Sequence, residues 1–409
     1  MRRRVVITGM AGISPLGNDW ASIRAKLASG TNAVTRMPGW DEVEGLHTHL
    51  GAKAAPFDLP PHFNRKTTRS MGNVALMAVI ATERALADAG LSGSELLTSG
   101  KVGISYGSSA GTPSAIGDFG RMIRDRNTEG ITANTYIKMM SHTAAVNIGV
   151  HFGITGRVIT TSSACTSGSQ GIGYAYEAIQ SGKQVAMIAG GAEELDAIHA
   201  AVFDTLFATS VMNDSPGLTP RPFDARRDGL VLGEGAGTMI LEDLEHAQAR
   251  GARIYAEIVG FGTNCDGTHV THPNAPTMAA AMRLALEDAG LDASRIGYVN
   301  AHGTSTDRGD VAEAGATRAI YGGATPISSL KSFMGHTLGA CGVLEAWMTI
   351  EMMREGWFAP TLNLEQVADG CEGLAHIMGS ARNIECEFVT SNNFAFGGIN
   401  TSLIFRRWN

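Results

Sequence analysis

The sequence predicts an α/β fold of two duplicated halves, residues 1–250 and 251–409. Three observations carry this reading. First, Arg84-Ala85-Leu86-Ala87-Asp88-Ala89-Gly90-Leu91 returns as Leu284-Ala285-Leu286-Glu287-Asp288-Ala289-Gly290-Leu291, each copy closing a helical pattern at a glycine C-cap. Second, each copy is followed by a short apolar strand, Val102 to Gly107 and Ile296 to Gly303. Third, two turns of small residues, Ser163 to Gly168 and Lys331 to Gly339, each lead into a helical stretch, ending near Gly182 and Gly356. The repeat period is far too long for a solenoid. Alternating helices and apolar strands predict mixed or mostly parallel sheets covered by helices.

Taken in order, Val5-Val6-Ile7-Thr8-Gly9 is a first strand. The preceding Arg2-Arg3-Arg4 invites a signal-peptide reading, but the apolar run is too short and is broken by glycine. A helix is predicted from near Met71 to Gly90. Arg65, Lys66 and Arg69 form one basic cluster, and Arg121, Arg124 and Arg126 a second; by pattern alone both are solvated faces. Arg157 to Thr161 reads as a strand before the first small-residue turn. The second half opens with Ala256 to Phe261, which matches Val5 to Met10 in kind, then a helix from near Met278. Glu387 to Thr390 is a late strand, and Asn392 to Gly398 reads as a mobile loop with a bulky phenylalanine.

The chain has 409 residues, 44% hydrophobic, enough for a large core, and its 51 glycines fit tight turns and close packing. A net charge of −7 argues against nucleic acid as the main partner. The five cysteines are odd in number and lack zinc-type spacing, so a disulfide framework is not expected and a reducing cytoplasm is. No stretch approaches the roughly 20 apolar residues of a membrane span. Gly9 to Gly12 and Gly233 to Gly237 lack the dinucleotide-binding pattern.

Cys165 lies on a tight strand-to-helix turn among small residues, where a helix N-terminus favours thiolate and the backbone N–H can face an oxyanion. His302 stands just past a strand end, and His336 sits on the second small-residue turn. If the halves are related by pseudo-symmetry, all three meet in one crevice at the carboxyl ends of strands. His269 and His272 lack the supporting ligands a metal needs, so no metal is expected.

Five segments then resemble one family: Thr161 to Gly168, Arg221 to Gly237, Asn300 to Gly309, Lys331 to Ala340 and Phe394 to Asn400. They are similar to the signature segments of β-ketoacyl-acyl-carrier-protein synthases I/II, in order over the whole chain. The resemblance implies a thiolase fold with duplicated halves in a five-layer αβαβα sandwich. It implies that Cys165 accepts the acyl group while His302 and His336 promote malonyl decarboxylation. Lys331 matches an active-site lysine, and Glu345 its supporting carboxylate. Phe396 matches the gate, its N–H completing the oxyanion hole. Thr304 and Thr306 match contacts to the phosphopantetheine arm, and Ala110 falls where long-chain enzymes carry a bulkier residue in the acyl pocket. Arg65, Lys66, Arg69 and Arg124 lie where the family faces acidic carrier protein. No cofactor beyond the carrier's phosphopantetheine is implied. The expected assembly is a homodimer, or a heterodimer with a chain-length-factor-like subunit.

Asp307, Arg308 and Ala395 depart from the fatty-acid pattern. With Ala110, Tyr136, Met139 and Met140 they resemble the ketosynthases of aryl polyene clusters, a type II polyketide branch. Ordinary fatty-acid elongation is the alternative. A non-catalytic chain-length factor would lack the cysteine. A thiolase proper would carry a second catalytic cysteine, and Cys386 lacks the matching glycine-rich context. An active-site titration near neutrality is expected from the histidines.

Overall fold

The protein is described by a computed structural model covering residues 2–409. Ten strands define the architecture: β1 (Val5–Ile13), β2 (Val102–Gly107), β3 (Val158–Thr160), β4 (Ala186–Glu193), β5 (Gly235–Asp243), β6 (Ala256–Cys265), β7 (Ile296–Asn300), β8 (Pro326–Ser328), β9 (Phe388–Ala395) and β10 (Ile399–Arg407). The first five are ordered β3-β2-β4-β5-β1, and the second five β8-β7-β9-β10-β6. This is one topology used twice. In each set the first three are mutually parallel, and the last two each run antiparallel to their neighbours. β1 and β6 pair antiparallel, Val5 opposite Ile258, and join both sets into one sheet that also carries the short edge strand Ala375–His376.

Five helices complete the layers: α1 (Asn73–Asp88), α2 (Ser167–Gln180), α3 (Ala275–Ala289), α4 (Asp307–Tyr321) and α5 (Cys341–Glu355). α1 packs on β1 and β5, α3 on β6 and β10, and α2 and α5 contact each other and strands of both sets. The order is therefore helix, sheet, helices, sheet, helix: the αβαβα sandwich of the thiolase fold.

The sequence echo has a packing cause. Gly9 on β1 lies so close to α1 that a Cβ would meet the Ala85 carbonyl at 2.3 Å; Gly260 on β6 stands the same way against Ala285, again at 2.3 Å. Asp88 accepts the Met10 N–H at 3.0 Å and Asp288 the Phe261 N–H at 3.2 Å. Tyr255 donates to Asp88 and Tyr176 to Asp288. The repeated Ala/Asp/Gly pattern thus records one helix-on-strand contact made twice.

One reading is corrected. Asn392 to Ala395 belong to β9, paired along their length with β10, so the loop is confined to Phe396-Gly397-Gly398. Asn392 and Asn393 concealed the strand because both are polar yet fully buried.

Candidate active site

The two small-residue turns fold alike. Ala164–Thr166 is a single 3₁₀ turn before α2, and Leu338–Ala340 a single 3₁₀ turn before α5. Ala164 (φ 49°) and Leu338 (φ 47°) both take the left-handed conformation, uncommon for non-glycine residues, that turns the chain sharply into the helix. The turns touch: a Cβ on Gly168 would meet the Gly339 carbonyl at 2.9 Å. This approach explains the small residues and brings residues 165 and 336 together.

Cys165, His302 and His336 are all buried, with a ligand atom from each lying within 4.8 Å of the others. The imidazoles meet edge-on, centroids 5.1 Å apart. Their tautomers follow from their neighbours. His336 Nδ1 accepts the Leu338 N–H at 3.3 Å, so its proton sits on Nε2, which has no partner among the described residues. His302 Nδ1 faces the Lys331 ammonium at 3.2 Å, a group that only donates, so His302 also carries its proton on Nε2. Burial first, then the Lys331 charge, hold both histidines well below the ordinary range. The site therefore presents two neutral N–H donors beside a thiol. The expected histidine titration near neutrality is corrected accordingly: it moves to distinctly lower pH.

Lys331 is buried and paired with Glu345. Burial works against its ammonium, but the Glu345 carboxylate outweighs that and leaves its pKa raised. Asn393 on β9 donates to Glu345 Oε2 at 2.8 Å. Glu313 on α4 accepts the backbone N–H groups of His302 (2.7 Å) and Gly303 (2.6 Å), fixing the His302 loop. Sequence reading missed both residues. A signal for Glu313 was present: Asp310, Glu313, Thr317 and Tyr321 recur at helical spacing on the buried face of α4.

The thiolate expectation is also corrected. Burial pushes the Cys165 thiol up to about 11, with Lys331 and the backbone N–H groups of Phe396 and Cys165 pulling the other way. Those two N–H groups are the pair that the sequence expects to hold an oxyanion. The ring of Phe396 rests 5.0 Å from that of Phe203, next to the nucleophile.

A cavity of about 610 Å³ leads from Cys165, His302, His336 and Phe396 outward past Thr304 and Thr306, whose hydroxyls are 2.9 Å apart. Asp307 and Arg308 stand at its mouth; Arg227 holds the first at 2.9 Å, and the second meets His272 at 3.1 Å. Ala110 is not among the cavity's lining residues. Its loop sits behind the turns, where Glu193 Oε2 accepts N–H groups from Ser109 (2.8 Å) and Gly339 (3.1 Å). Arg65, Lys66 and Arg69 are exposed on and beside a short helix, Arg65–Thr68. Arg124 is exposed on another helix and paired with Asp125 at 2.7 Å. The buried Lys331 beside Cys165, His302 and His336 makes this cluster a poor cation site. No helix among the described residues is long and apolar enough to cross a membrane.

Fold and site together define a thiol-dependent condensing enzyme of the thiolase type. Residues 2–247 match the β-ketoacyl synthase N-terminal domain and residues 255–365 the β-ketoacyl synthase C-terminal domain. The chain belongs to the β-ketoacyl synthase family. It is 38% identical to 3-oxoacyl-[acyl-carrier-protein] synthase 2 of Vibrio cholerae, over 99% of both chains. A crystal structure of a β-ketoacyl synthase from Burkholderia phymatum is 61% identical and superposes with a TM-score of 0.98, covering all of both chains. A structure described as the ishigamide ketosynthase/chain length factor is 30% identical, with a TM-score of 0.90 and full coverage of both.

Proposed function

We propose that this chain condenses malonyl-acyl-carrier-protein with an acyl group held on Cys165, releasing a β-ketoacyl-carrier two carbons longer. The observation that carries the reading is the thiol faced by two neutral Nε2–H donors. The Cys165 thiol attacks the acyl-carrier thioester, and the departing carrier sulfur takes the proton. The malonyl-carrier then occupies the cavity along Thr304 and Thr306. Its C–C bond to the carboxylate breaks, CO₂ leaves, and the electron pair becomes an enolate whose oxygen the two N–H donors stabilise. The enolate carbon forms a bond to the acyl carbon, the C–S bond to Cys165 breaks, and the sulfur regains a proton. The N–H groups of Cys165 and Phe396 hold the oxyanion between bond making and breaking. The proton that returns to the Cys165 sulfur comes from solvent; otherwise the chemistry as written uses the chain's own groups and the carrier arm. Lys331 acts through His302, which it keeps neutral and oriented.

The carrier protein's acidic surface would meet Arg65, Lys66, Arg69 and Arg124. Within this chemistry the proposed starters are aryl or polyenoyl chains, on the small Ala110 and on the half-exposed Tyr136 beside Met139 and Met140. Intact-protein mass spectrometry after exposure to cinnamoyl-carrier and a saturated acyl-carrier tests both levels. The wild-type chain gains the acyl mass, faster from cinnamoyl, and Cys165→Ala gains none. Loading that persists in Cys165→Ala would end the condensing reading. Equal or saturated-favouring rates would end the aryl reading and leave fatty-acid elongation.

A further inference from the structure

Away from the condensing site, three metal-type ligands from separate elements converge. His62 lies on the loop before the short basic helix Arg65–Thr68, and Glu83 on α1. His151 lies in the last turn of the helix Thr143–Phe152, which packs on α1. One donor atom from each residue lies within 4.8 Å of the other two. His62 Nε2 meets Glu83 Oε2 at 3.1 Å, which an ion pair explains. An ion pair does not explain His151. Its ring holds a nitrogen within reach of both partners yet makes no hydrogen bond among the described residues.

The surroundings fit a cation. His151 closes a helix, where the aligned carbonyls favour positive charge. The charged groups that act on its ring are Glu83 and His62, with no ammonium beside it of the kind that Lys331 supplies beside His302. Phe63 flanks both imidazoles, its centroid 5.0 Å from each, and Phe152 lies 4.7 Å from His151. These rings give the polar cluster an apolar wall. Phe63 is itself buried in the core around α1, so the chain is anchored one residue away from His62.

The spacing also fits. Bonds of about 2 Å on a tetrahedral ion place its ligands roughly 3.3 Å apart. The His62–Glu83 pair stands near that spacing already, and small rotations of side chains that are exposed or half-buried close the rest. Two imidazoles with one carboxylate select zinc-type ions over magnesium or calcium, which prefer oxygen ligands. Three protein ligands leave the fourth position to water.

We propose that His62, Glu83 and His151 bind one zinc-type dication, which pins the segment 62–68 to the two helices. The site is independent of the condensing chemistry. The ion and the Glu83 carboxylate together add one positive charge to the surface that carries Arg65, Lys66 and Arg69.

The test is equilibrium dialysis of the full chain against zinc after stripping with EDTA. The wild-type chain is expected to hold one zinc per chain more than Glu83→Gln or His151→Phe. Phenylalanine keeps the contacts with Phe63 and Phe152 while removing the ligand. Losing a ligand costs more than losing its supporting contact, so affinity at this site should fall at least roughly tenfold. Cobalt(II) in the wild-type chain should give the visible spectrum of a nitrogen–oxygen site, without the near-ultraviolet band of a thiolate ligand. Zinc should slow amide hydrogen exchange across residues 62–68 in the wild type and leave it unchanged in His151→Phe. Equal zinc counts in the wild type and both variants, or a thiolate band, would overturn the site. Bound zinc without slower exchange would overturn the pinning. Loading of Cys165 from an acyl-pantetheine thioester shows that the variants are folded. Failure of the wild type to load counts against the condensing reading and leaves the metal count to stand by itself.

Discussion

Glu313 is buried directly beneath the His302 loop, and its protonation is tied to folding. Burial, opposed by the N–H groups of Gly303 and His302, raises its pKa from 4.5 to about 8. The folded state thus binds this proton more tightly than the unfolded one. The resulting stabilisation is complete below about pH 4.5 and is lost as pH rises through about 8. Asp310, raised to about 6, adds a smaller effect of the same sign lower in the range. The stability of the wild-type chain is therefore expected to fall between about pH 4.5 and 8 and to level off above, the Glu313 share being on the order of a few kcal/mol. Glu313→Gln should flatten that slope, whatever its stability at one pH; denaturant midpoints across the range measure it, and parallel slopes would refute it. This also marks the limit of the sequence at residue scale. Cys165, His302, His336, Lys331 and Glu345 could be read because each stands in a short, distinctive segment. The neutrality of the histidines, the raised thiol and the Asn393 and Glu313 supports could not. They depend on burial and on neighbours far away in the chain.

The elements that the sequence disclosed best are those whose packing forces a local pattern. α1 and α3 were legible because each presses a carbonyl against a strand glycine, and only glycine fits there. The small-residue turns were legible for the same reason, since two backbones touch between Gly168 and Gly339. β9 was truncated because Asn392 and Asn393 are strand residues whose polar side chains are buried. Alternation of apolar and polar residues does not report such a strand. The duplicated contact yields a paired prediction. Gly9→Ala and Gly260→Ala each place a Cβ 2.3 Å from a helix carbonyl that cannot give way alone. Each is expected to cost about 1–3 kcal/mol as overpacking. Neither glycine lies in the left-handed region, so the cost comes from contact and not from backbone strain. Chemical denaturation should show similar losses for the two; a neutral effect at either would break the equivalence of the halves.

At the scale of the molecule, the sheet ends in an open edge. β3 pairs on one side only, with β2, and Val158 on it is 46% exposed. The neighbouring helix Thr143–Phe152 packs against β3 and leaves Val150 83% exposed. A bare strand edge with apolar residues beside it invites another strand, and proteins that stay monomeric protect such edges with lysine, proline or a bulge. β3 has none of these, and its residues Val158 and Ile159 favour pairing. The chain is therefore expected to associate through β3 with a second copy, the two strands extending one sheet across the interface. About 800 Å² per partner suffices for a stable contact, a small fraction of the 15600 Å² surface. Val158→Lys places a charge on that edge and should shift sedimentation from dimer toward monomer at micromolar concentration, leaving the fold of each subunit intact. A wild-type chain that sediments as a monomer would dismiss the edge as an interface between like copies and turn attention to an unlike partner. A charged variant that remains dimeric would place the interface elsewhere on the surface.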